Sequence, residues 1–169
     1  MIIWLGGSLV RNVMVFDLFI PGIELTFKPD YTPEIINYNI HLYASTALYT
    51  GVAYGIAFLI ILIISIMELK SFRREGWLFM SIVLFLLVSP IVIYNLYLDY
   101  SISIAVFWND FSLLSDGGLS DAIFARYNNS ANTVLSGIAY LANVNIILYA
   151  VYKPLKTDDL PINLTDEKD

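Results

Sequence analysis

The chain has 169 residues, of which 58% are hydrophobic and only 14% charged, and its net charge is −6. A soluble domain carries roughly a quarter charged and about half apolar residues, so lipid, not water, is the solvent that accommodates this surface. The absence of cysteine excludes disulfides, thiol nucleophiles and iron–sulfur ligation within the chain, and the acidic balance excludes the concentrated basic face that a nucleic-acid partner requires.

In chain order, the first candidate span is the N-terminal stretch, residues 2–20, which is apolar except for Arg11 and Asp17 and is stopped by Pro21-Gly22. A signal peptide would carry its basic residue ahead of the apolar run; here Arg11 lies inside it, so the reading is a retained helix. The other reading starts the span after Arg11 and lays residues 1–10 along the inner interface. Charges within a span usually face protein or water. Six residues apart, Arg11 and Asp17 sit about 120° apart on a helix and make a poor intrahelical pair. Each is expected to find another partner, either a Tyr or Asn of this chain or a charge on a neighbouring subunit.

Trp4-Leu5-Gly6-Gly7, followed by apolar residues to Pro21, resembles the first-helix motif of copper-resistance CopD-like four-helix membrane domains. The resemblance is confined to this short stretch. Met1-Ile2-Ile3 lacks the histidine that such domains often place just before the motif, and the family assignment is not adopted.

Residues 43–67, 77–98 and 131–152 are apolar on nearly every face, and each is long enough to cross hydrocarbon roughly 30 Å thick. Thr32-Pro33-Glu34 reads as an N-cap, a proline at the first helical position and an acid in the first turn, so the second helix is predicted to begin well before its apolar part. Ala47, Gly51 and Gly55 form a small-residue stripe for close helix packing, either within the bundle or with a second chain. His41, the only histidine, stands near the outer mouth of this helix, where it is an interfacial residue, a proton-active group or a lone metal ligand. Pro90 is expected to kink the third helix. Ser101–Trp108 alternates as S-I-S-I-A-V-F-W and reads as a half-buried extended segment, with a turn at Asp116-Gly117-Gly118. On the last helix Asn132, Ser136, Tyr140 and Asn143 share one face, suited to interhelical hydrogen bonds or to lining a polar cavity. Asn145 lies nearly opposite Asn143.

Lys70, Arg73 and Arg74 lie in the short loop 68–76, and Lys153 and Lys156 follow the last span. The outer loops 22–42 and 99–130 hold only Lys28 and Arg126. Positive residues mark the cytoplasmic side, which puts both termini there. The expected fold is an all-α membrane protein, a four-transmembrane-helix bundle with an ordered, aromatic-rich extracytoplasmic cap. Residues 1–156 would form a single domain of the cell membrane, and residues 157–169 a polar cytoplasmic tail.

Walker, Rossmann, GxSxG and HExxH patterns are all missing, and one histidine cannot supply the paired ligands of a transmembrane haem. The expectation is a non-catalytic accessory subunit of a larger membrane complex, for instance a respiratory one, in contact with lipid and with other subunits or a second copy. The alternative is a small-molecule module, either a quinone-interacting redox subunit or a transporter component, built around Arg11, Asp17, His41 and the polar face of the last helix. No cofactor or metal is expected in the isolated chain; a bound lipid or quinone is the ligand this setting offers.

Overall fold

The computed structural model describes residues 1–20, 26–68, 75–108, 122–123 and 125–154. Four helices dominate them: α1 (Ile2–Leu18), α2 (Pro33–Met67), α3 (Gly76–Trp108) and α4 (Ser130–Tyr152). No strand occurs among the described residues. An antiparallel bridge, Phe19 to Phe27, folds the chain back after α1, and the two rings stack at 4.9 Å.

Three helices, α2, α3 and α4, are long and apolar enough to cross a membrane. The first helix ends two residues short of the expected 2–20 and has 17 residues, about 25 Å at 1.5 Å per residue. Exposed aliphatic and aromatic side chains run down every helix; Leu59, Ile63 and Met67 on α2 and Leu141 and Val151 on α4 are examples. Lipid is the medium in which such a surface is stable.

Successive helices pack side by side, with α4 returning to α1 through Asn12 Nδ2, which donates to Tyr140 Oη at 3.0 Å, and through the Trp4 and Tyr140 rings at 5.8 Å. One apolar core gathers the C-terminal end of α1, the N-terminal end of α2 and the C-terminal end of α3 (Val15, Leu18, Ile36, Ile40, Ile102, Val106). The other gathers the opposite ends, with Trp4, Tyr54, Phe85, Val88, Val92 and Ala142. Neighbouring helices are therefore antiparallel. Between α1 and α2 the approach is so close that a Cβ at Gly7 would collide with the Thr50 side chain.

The second helix begins where its sequence signals place it, with Thr32 as N-cap in the extended region, Pro33 in the first turn and Glu34 beside it. The extended reading of Ser101–Trp108 is corrected: α3 continues unbroken to Trp108. Alternation along the sequence was outweighed by a longer period, because Val88, Val92, Asn95, Asp99, Ile102 and Val106 recur every three or four residues and all are buried. That is one continuous helical stripe. The Ser101 and Ser103 hydroxyls donate to the carbonyls four residues back, which satisfies them inside the helix. The expected turn at 116–118, the basic residues Lys70, Arg73, Arg74 and Lys156, and the tail 157–169 all lie outside the described residues.

Candidate functional site

The most unusual chemistry sits where α1, α2 and α3 meet the segment before α4. Arg11 is 2% exposed and Asp99 is 2% exposed. The Arg11 side chain leaves α1 on the same stripe as Trp4, Ser8 and Val15 and so is forced inward. Its Nη2 donates to Asp99 Oδ2 at 3.1 Å and to Ser8 Oγ at 3.0 Å, while Nη1 donates to the Thr46 carbonyl at 3.2 Å and to Thr50 Oγ1. A second cation, Arg126, donates through Nε to Asp99 Oδ1 at 2.9 Å. Tyr43 Oη donates to the same Oδ1 at 2.6 Å, and Tyr127 Oη donates in turn to Tyr43 Oη at 3.2 Å. One carboxylate therefore holds two guanidiniums and a phenol.

Such groups cannot be buried singly, because several kcal/mol of desolvation per ion must be offset by geometry and hydrogen bonds. Here the offset is extensive and comes from every neighbouring element. Burial works against the Arg126 charge, but the Asp99 carboxylate more than compensates, and the guanidinium's pKa rises above its usual value. Burial, reinforced by the Asp99 charge, likewise pushes the Tyr127 phenol up. Around the cluster, Arg126 and Tyr127 therefore keep their protons across the physiological range.

The polar face of α4 joins this cluster. Asn132 Nδ2 donates to the Arg126 carbonyl at 2.9 Å, Ser136 Oγ to the Asn132 carbonyl at 2.7 Å, and Asn95 Nδ2 on α3 to Ser136 Oγ at 2.9 Å. Tyr140 belongs to the α1 contact already described. Asn143 is fully buried and donates to the Ala139 carbonyl. Asn145, on the opposite side, is exposed and donates to the Leu141 carbonyl within its own helix.

Asp17 belongs to a different place. It is exposed at the end of α1, accepts from Lys28 Nζ at 2.9 Å and from Tyr31 Oη at 2.6 Å, and is remote from the Arg11 cluster. The hydrogen bond to Asp17 raises the pKa of both Lys28 and Tyr31. His41 stands partly buried with its ring edge-on to Phe107 at 5.8 Å. Of the small-residue stripe, Ala47 is buried, Gly51 lies near Leu96, and a Cβ on Gly55 would meet nothing within 4 Å. A groove of about 330 Å³ runs beside it, lined by Ala47, Leu48, Gly51, Val52, Leu96 and Tyr100.

The structure thus brings together Arg11, Asn132 and Ser136 of the expected residues and leaves Asp17 and His41 apart. The decisive partner, Asp99, stands one residue beyond the apolar run 77–98 and so outside the expected span. The available signal was that Asp99 is the only acid between Gly76 and Trp108, on the same 3–4 period as Val92 and Asn95. Among the described residues, no group of three or more His, Cys, Asp or Glu side chains is placed to hold a metal.

Compared with known proteins, the chain matches no family model, no curated protein sequence and no solved structure.

Proposed function

We propose that this chain is a four-span protein of the cell membrane, with both termini cytoplasmic, that serves as a non-catalytic accessory subunit of a larger membrane complex. The observation that carries this reading is that the buried ionic cluster closes on itself. Every charged side chain in it is paired within the chain, and the cavity beside it measures about 10 Å³, room for roughly one water and far too little for a quinone ring. A cluster of this kind fixes helix register, a use attested for buried polar groups elsewhere. The contact surface such a subunit needs is offered by α2, where Gly51 and Gly55 let another helix approach closely.

Arg11 is no obstacle to seating α1 in the membrane, because its guanidinium is neutralised within the bundle. Thr46 and Thr50, which hold its guanidinium, lie only about 5–10 Å along α2 from Tyr43, where the apolar run begins. The charge therefore sits near one edge of the hydrocarbon, not at its centre. Orientation follows from the basic residues between α2 and α3 and after α4. Arg126, the exception in sequence on the other side, is buried against Asp99 instead of lying free on that surface.

Purification from native membranes in mild detergent is expected to bring down stoichiometric partners, and Gly55→Leu to release them without loss of helix. A lone, monodisperse chain would overturn the reading. Single cysteines introduced at Ser112 and Ser71 test the orientation: outside labelling should reach the first and spare the second.

A further inference from the structure

The small cavity between α1, α3 and α4 is bordered by Ser8, Arg11, Asn95, Asp99, Arg126 and Ser136, with Trp4 and Tyr140 closing its apolar side. Asn95 is 6% exposed; its Nδ2 is engaged by Ser136, while its Oδ1 is buried with no hydrogen-bond partner. A buried amide carbonyl left this way costs about 1–3 kcal/mol. The Arg11 and Arg126 guanidiniums border the same cavity, and a guanidinium carries N–H donors and no acceptor.

We propose that this cavity is a dedicated binding site for one water molecule, which donates to Asn95 Oδ1 and accepts from the guanidinium side of the cluster. Three observations converge on water. The volume, about 10 Å³, is that of about one water. The wall offers an orphan acceptor and guanidinium donors together, which a single molecule with both capacities can bridge. A halide is disfavoured by the same geometry, because it would face the Asn95 carbonyl oxygen with no hydrogen to give. With the water in place the polar groups form a closed ring, running from Arg126 through its carbonyl to Asn132, Ser136, Asn95, the water and back. That ring ties α3 and α4 to the segment preceding α4 and is independent of whether other subunits bind.

The test is water-edited solid-state NMR on the full chain in lipid bilayers, with ¹⁵N in arginine and asparagine side chains. Magnetisation from water is expected to reach the Asn95 amide and the cluster guanidiniums rapidly, despite their burial. In Asn95→Leu the transfer to the guanidiniums should slow several-fold, whereas Asn95→Asp, which keeps an acceptor, should retain it. A dry cluster in the wild-type chain would overturn the proposal even if no variant folds. So would unchanged transfer in Asn95→Leu, or displacement of the water signal by titrated bromide, which would make the site an anion site.

Discussion

The first helix places two charges six residues apart, and the protein treats them in opposite ways. Arg11 is sealed among three helices with an ion partner and hydroxyl and carbonyl acceptors; Asp17 reaches into the open and pairs with a partly exposed lysine. Both are salt-bridged, and both distances are close to 3 Å. Geometry alone does not distinguish them, but dielectric does. The same Coulomb pair is several times stronger under partial burial than in water, and the penalty for orphaning one member rises in parallel. One end of α1 is therefore committed to the fold, while the other is decoration on its rim.

The sharpest way to break this contrast is Asp99→Asn, which leaves two buried guanidiniums without a counter-charge. A destabilisation of about 3–5 kcal/mol is expected for removing one partner of a buried pair, seen as a large fall in the thermal midpoint in mild detergent. Replacing all three ions together (Arg11→Met, Asp99→Leu, Arg126→Met) should recover most of that loss, since apolar substitutes of similar volume remove the desolvation penalty as well. Recovery would identify the cluster as a register device; its absence would mean that the ions do something packing cannot. Arg11→Met alone is expected to cost less than Asp99→Asn, because Asp99 keeps Arg126 and Tyr43. Tyr43→Phe should cost about 1.5–3 kcal/mol, the worth of one hydrogen bond to a charged acceptor. At the rim, Lys28→Ala should leave the thermal midpoint unchanged within error, as exposed pairs do. A clear loss there would erase the distinction between the two ends of α1.

How far this was legible in the sequence follows the same divide. The helices long enough to span were plain from apolar runs, and the start of α2 from Thr32-Pro33-Glu34, because both signals are local. Arg11 was recognisable as a residue in need of a partner, for a charge in an apolar stretch has few other options. The partner itself was not visible. Asp99 sits 88 residues away, and hydropathy naturally ends a span at the first acid it meets. The alternating Ser and Ile residues after it then drew an extended segment where the buried period continued as helix. Only three-dimensional adjacency shows that Asp99 points at two arginines. The polar face of α4 was identified from spacing, but its connection to Arg126 passes through a backbone carbonyl, which no side-chain pattern reveals.

One feature of α2 bears on the bilayer itself. From Pro33 to Met67 the helix measures about 52 Å, against roughly 30 Å of hydrocarbon, and tilts of about 20°, or even 40°, leave an excess of at least 10 Å. A rigid rod longer than its medium must select which part of itself stays wet. Glu34, Asn39 and His41 make that selection, since sinking them would strip water from groups along one end while the apolar run from Tyr43 onward is already long enough to fill the membrane. The protein is thereby moored at a fixed depth. The outer end of α2, packed against the ends of α1 and α3, has its height set by three polar side chains.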